Sequence, residues 1–87
     1  MDTYNIGGRV IHTGDPITGT YNYRPFTGTV RLVEPNWECG SRNAVNVYVD
    51  VPAFEPGRDS LALLGLNLST GRQYRGMSLY ENVTIGE

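Results

Sequence analysis

Asn43-Ala44-Val45-Asn46-Val47-Tyr48-Val49-Asp50-Val51 decides the fold class. Val45, Val47, Val49 and Val51 fall on one side of an extended chain, and Asn46, Tyr48 and Asp50 fall on the other. A β-branched residue at every second position packs well on a pleated sheet and poorly around a helix. The stretch therefore predicts a strand with one buried face. Pro52 is expected to stop it, and Pro56-Gly57 to prolong the turn.

Working outward, the same signal recurs between glycines and prolines, and helical periodicity is nearly absent. Thr27 to Val33 alternates, with Val30 and Leu32 on the predicted buried face; Arg24-Pro25 precedes it as a break and Glu34-Pro35-Asn36 ends it. Arg9 to Thr13 forms another run, entered through Gly7-Gly8 and left through Gly14-Asp15-Pro16. Thr18 to Tyr23 reads equally as a strand or an ordered loop. Trp37 to Arg42 reads as a loop. Leu61 to Leu68 fits a strand better than a helix, because Gly65 costs a helix about 1 kcal/mol. Gln73 to Leu79 is expected to be a strand interrupted at Gly76. Glu81-Asn82 reads as a turn before a closing strand at Val83 to Ile85.

Five to seven short strands at this spacing predict an all-β chain: a small barrel or compact sandwich, with residues 1–87 forming one domain. The expected core is Val10, Val30, Leu32, Val45, Val47, Val49, Leu64, Leu66, Leu79 and Val83. So thin a core makes each large-to-small change cost about 1–4 kcal/mol.

Gly8-Arg9-Val10 with Gly14, followed by Gly28-Thr29-Val30-Arg31-Leu32-Val33, resembles the opening of Src-homology-3-like (SH3-like) barrels of the KOW and CAP-Gly types. Asn46 to Asp50 looks like their central strand, and Tyr80 to Val83 like their closing turn and last strand. The resemblance covers about half the chain and implies the barrel architecture. His12 stands where a KOW motif has an apolar residue. Thr20 to Thr27 separates the two matched strands, and the CAP-Gly glycine-lysine-asparagine signature is missing. The functional residues of neither family therefore carry over.

Composition narrows the function. The chain has 87 residues, with 39% hydrophobic and 18% charged side chains, and a formal charge of −2. That leaves no room for a Rossmann unit beside a substrate domain. The seven basic residues are all arginines, set against nine acidic ones. The absence of lysine fits an arginine-rich coding bias, and it removes Schiff-base and P-loop lysine chemistry. An acidic balance argues against bulk nucleic-acid binding. Cys39 is the lone cysteine, so one chain forms no disulfide and no cysteine-based zinc site. The opening residues lack the pattern of a secretory leader, and a cytoplasmic location is the expectation. His12, the lone histidine, reads as a packed or hydrogen-bonded strand residue. No nucleophile elbow, phosphate loop or carboxylate dyad stands out, so neither catalysis nor any cofactor or metal is expected.

The feature above background is a scatter of aromatic residues and arginines. Tyr21, Tyr23, Arg24 and Phe26 cluster before the Thr27 strand. Trp37 and Arg42 lie in the next loop, Tyr48 faces outward from the valine strand, and Arg72, Tyr74 and Arg75 follow near the other end. Tyr, Trp and Arg anchor protein interfaces and also stack on bases. Loops at one end of a barrel converge, so Tyr23, Trp37 and Tyr74 are expected to line one surface. The reading that follows is a non-enzymatic module docking on a partner protein. In size and style it resembles bacteriophage or mobile-element accessory proteins that modulate a host or defence protein. A nucleotide or oligonucleotide binder is the second reading. A structural component that forms homo-oligomers through strand edges is the third.

Overall fold

In the computed structural model, residues 2–6, 8–36, 44–73 and 79–86 are described. They form eight strands: β1 (Thr3–Ile6), β2 (Arg9–His12), β3 (Pro16–Tyr21), β4 (Arg24–Pro35), β5 (Ala44–Glu55), β6 (Arg58–Asn67), β7 (Arg72–Gln73) and β8 (Tyr80–Ile85). No helix occurs among the described residues, and so none long and apolar enough to cross a membrane.

Six strands form one antiparallel sheet in the order β7-β6-β5-β4-β3-β8, and β1 and β2 pair separately. The six-stranded sheet curls until its two edges meet. The Val83 N–H donates to the Gly71 carbonyl at 2.8 Å, joining the β7 side to β8. The result is a nearly closed small barrel with a two-stranded flap, as the all-β, SH3-like expectation required.

β4 is the strand that turns the corner. Its first half pairs with β3, from Tyr21↔Arg24 to Pro16↔Thr29. Its second half pairs with β5, from Thr29↔Asp50 to Pro35↔Val45. Gly28 sits at the bend, where a Cβ would overlap the Asp50 carbonyl oxygen and press on the Val49 and Val51 side chains. Glycine alone lets the two backbones come that close.

The valine face of β5 is buried as predicted: Val45, Val47, Val49 and Val51 are all in the core with Val30, Leu66 and Val83. Four expected core residues lie outside it. Val10, Leu32, Leu64 and Leu79 are 55%, 38%, 49% and 45% exposed. Their places are taken by Ile11, Val33, Leu61, Leu63 and Tyr80, with Ile17, Phe26, Leu68 and Ile85. For two of the four the cause is an irregular register. It shifts between Val30 and Leu32 on β4, and between the pairs Val45↔Leu66 and Val47↔Leu63 on β5 and β6. One extra residue in a strand moves every later side chain to the opposite face.

Several boundaries also differ from expectation. Arg24-Pro25 does not break the chain but starts β4, and the turn is Asn22-Tyr23. β5 runs on through Pro52, which falls in the irregular stretch between Asp50↔Ser60 and Glu55↔Arg58, where a missing N–H costs no regular ladder bond. Leu61 to Leu68 is strand as favoured, apart from its last residue. Glu81-Asn82 is not a turn but part of β8, bulged at Asn82 (φ 56°). The Trp37–Arg42 loop and the Gln73–Leu79 run lie wholly or largely outside the described residues. His12 is not packed; its side chain faces solvent beside Asp15, Nδ1 to Oδ2 3.7 Å.

The flap is tied to the barrel by Ile11, buried in the core, and by Arg9. The Arg9 guanidinium donates to the carbonyls of Leu68 (3.4 Å) and Ile85 (3.1 Å).

Candidate functional site

Two hairpins project from one end of the barrel. β3 and β4 remain paired out to Tyr21↔Arg24, and β5 and β6 out to Glu55↔Arg58. Between them the β4–β5 ladder has already ended at Thr29↔Asp50. Side chains bridge the gap. The Tyr21 and Phe54 rings meet edge to face, with centroids 6.3 Å apart and planes at 86°. The Arg24 guanidinium lies 5.3 Å from the Phe54 centroid, and one of its nitrogens donates to the Phe54 carbonyl at 3.3 Å. Arg58 lies over Tyr21 at 5.8 Å. Beneath them, Tyr80 stacks on Tyr21 and its hydroxyl donates to the Leu64 carbonyl at 2.6 Å. Each such cation–ring contact at an exposed site is worth about 0.5–1 kcal/mol.

Tyr23 stands at the tip. Asn22 and Tyr23 are the two loop residues of the β3–β4 hairpin, with φ of 51° and 66°. Both are left-handed, the geometry of a type I′ turn, whose second position suits glycine. A tyrosine there bears the Cβ clash of the left-handed region, about 1–2 kcal/mol. Tyr23 is 92% exposed, so no packing offsets that cost. Leu79, also exposed, borders the tip, since its carbonyl accepts the Asn22 N–H at 2.7 Å.

The expected site residues therefore divide. Tyr21, Tyr23 and Arg24 come together at this end. Phe26 does not join them; it is a core residue whose ring lies against the position of Gly19. Arg72 pairs with Asn67 at the far end of β6 from Arg58. Tyr48 lies on the outer face of β5, opposite Leu32 and Ala62. Its hydroxyl bonds the Glu34 carboxylate, which together with partial desolvation and the nearby negative charge pushes the Tyr48 phenol above its usual range. Trp37, Arg42, Tyr74 and Arg75 lie outside the described residues.

Sequence reading missed Phe54 and Arg58. The only signal for them was Pro56-Gly57, a turn that sets its flanking residues side by side at the tip of a hairpin. Among the described residues, no group of three or more His, Cys, Asp or Glu side chains is placed to hold a metal ion. Comparison with protein families, curated proteins and solved structures finds no match to the chain.

Proposed function

We propose that the protein is a non-enzymatic binding module that docks on a partner protein through the β3–β4 and β5–β6 hairpin tips. One observation carries the reading: an almost fully exposed tyrosine occupies a left-handed turn position where glycine would be more stable. Nothing in the fold gains from that side chain, so its use lies outside the chain. Around it stand Tyr21, Phe54, Arg24 and Arg58, the residue types that dominate interface energetics once desolvated. Their mutual contacts hold the side chains in place before a partner arrives, which reduces the ordering cost of binding.

At Tyr21 and Phe54, protein docking is favoured over base stacking by the state of the two rings. Tyr21 is already stacked on Tyr80 and covered by Arg58, and Phe54 is covered by Arg24. A base stacking there would displace existing contacts, whereas a protein surface can pack over the cluster as it stands. Action in the cytoplasm on a host or defence protein, as a phage or mobile-element accessory, is the narrower form of the proposal, and it rests on size and composition alone.

Affinity purification from the native host lysate tests the reading, with wild type beside Tyr23→Gly and Arg24→Ala. A partner retained by wild type and lost by Tyr23→Gly supports it. Equal recovery by all three, or a thermal shift with a nucleotide panel that is abolished by Arg58→Ala, refutes it.

A further inference from the structure

Backbone bonds fix one end of the flap, and a side chain fixes the other. The base is the turn from His12 to Asp15, closed by the Asp15 N–H on the His12 carbonyl at 3.0 Å. Two bonds seat this turn on β4: the Gly14 N–H on the Val30 carbonyl at 2.8 Å, and the Val30 N–H on the Asp15 carbonyl at 2.9 Å. Beyond the base, β1 and β2 pair only with each other among the described residues. The far end, at Ile6↔Arg9, is held by the Arg9 guanidinium. Between the two, Ile11 is buried in the core, with Tyr4 and Ile6 packed against it.

The far end lies on the seam of the barrel. β8 runs from Tyr80, at the hairpin-tip end, to Ile85 at the other. Near Tyr80 the seam is tied by the Tyr80 hydroxyl on the Leu64 carbonyl and by the Leu79 N–H on the Gln73 side-chain oxygen at 3.1 Å. In the middle it is tied by the Val83 N–H on the Gly71 carbonyl. Towards Ile85, the hydrogen bonds that cross it among the described residues are those of Arg9, to Leu68 on one side and Ile85 on the other. The Ile85 carbonyl is turned that way by the ladder. The Pro16 carbonyl accepts the Gly86 N–H at 2.8 Å, and bonded pairs alternate, so Ile85 points away from β3.

We propose that the β1–β2 flap is a strap over this seam, with Arg9 as its clasp. The far end swings off about the His12–Asp15 turn, and the Ile85 end of β8 parts from the β7 side in the same step. Strands β3 to β6 stay paired. The coupling follows from the clasp itself. One guanidinium grips both sides, so lifting the flap releases both, and parting the seam draws one carbonyl out of its reach. Local openings of this kind occur where few backbone bonds tie an element down. The open form bares the Ile11 socket and the outward edge of β8. The strap lies at the opposite end of β8 from the hairpin tips, and it stands or falls independently of partner docking there.

Native-state hydrogen exchange in sub-denaturing urea tests the strap on the wild-type chain. A two-stranded hairpin off its barrel is marginal, so the flap amides exchange once it lifts. Tyr4 and Ile11 form a bonded pair, two places along from the Thr13 N–H on the Asp2 carbonyl. The Tyr4, Ile11 and Val83 amides should share one opening free energy and one urea slope. Both should be smaller than those of the Val47 and Val49 amides in β5. Arg9→Met keeps the stem and removes the clasp, and should speed exchange at the three flap and seam amides by about tenfold. Ile11→Val alters the packing of the flap and neither seam bond, and should speed Val83 by the same factor as Tyr4. A Val83 amide that opens with a slope different from the flap's, or that ignores Ile11→Val, overturns the proposal. So does a single opening common to all of these amides, since the flap and seam would then part only when the whole chain unfolds.

Discussion

The Tyr21 and Tyr80 rings run nearly parallel and offset across the β3–β8 pair, with centroids 6.5 Å apart and planes within 7°. Tyr80 is the inner of the two, 2% exposed, with its hydroxyl bonded to the Leu64 carbonyl. It supports the exposed cluster from below. Tyr80→Phe keeps the stack and orphans that carbonyl, for an expected loss of about 1–2 kcal/mol. Tyr80→Ala also opens a cavity, and should lose about 3–5 kcal/mol. Urea unfolding measures both, and a Tyr80→Phe protein as stable as wild type would deny the hydroxyl any net contribution.

Gly28→Ala should be among the most damaging of small changes. The added methyl meets the Asp50 backbone oxygen, which cannot swing aside, and two core valines. The expected cost is about 2–3 kcal/mol, with loss of the β4–β5 junction visible as faster amide exchange at Val49 and Val51. A wild-type melting curve would show that the corner has slack.

Tyr23→Gly should do the opposite. Removing a side chain from a left-handed turn position that supports no packing is expected to raise stability by about 1 kcal/mol, or about 4–8 °C in Tm for a chain of this size. The same variant should lose partner binding. A lower Tm would mean that Tyr23 rests at no conformational cost.

Alkaline pH should reveal the Tyr48–Glu34 bond. The Tyr48 phenol is raised, the hydrogen bond to Glu34 being the first cause. A folded pKa above the unfolded one favours the protonated form on folding. The contribution is therefore fully present below the unfolded phenol pKa and disappears as pH climbs through the folded one. Tyr48→Phe should remove this portion of the alkaline stability loss and remove the late-titrating component from the tyrosinate absorbance. An unchanged titration curve would count against the bond.

The β5 valines were legible because regular alternation and deep burial agree over seven residues. The bulges were not. At Leu32 and Leu64 a two-residue period continues in the sequence, while the backbone spends an extra residue and turns both leucines outward. Gly65 (φ 71°), held by its N–H to the Asn46 side-chain oxygen at 3.0 Å, is the physical cause on β6, and a single glycine in a strand announces a bulge only faintly. At Val10-Ile11 two apolar neighbours are interchangeable on paper, and only the docking of the flap selects Ile11. The site was half legible. Tyr21, Tyr23 and Arg24 are local in sequence, whereas Phe54 and Arg58 reach them only because the two hairpins project from the same end.

The pairing of β3 with β8 joins residues 16–21 to residues 80–85. Until the later stretch has left the ribosome, one edge of β3 has no mate, Tyr21 has no ring beneath it, and Arg9 lacks the Ile85 carbonyl. Barrel closure therefore waits for the last of the eight strands.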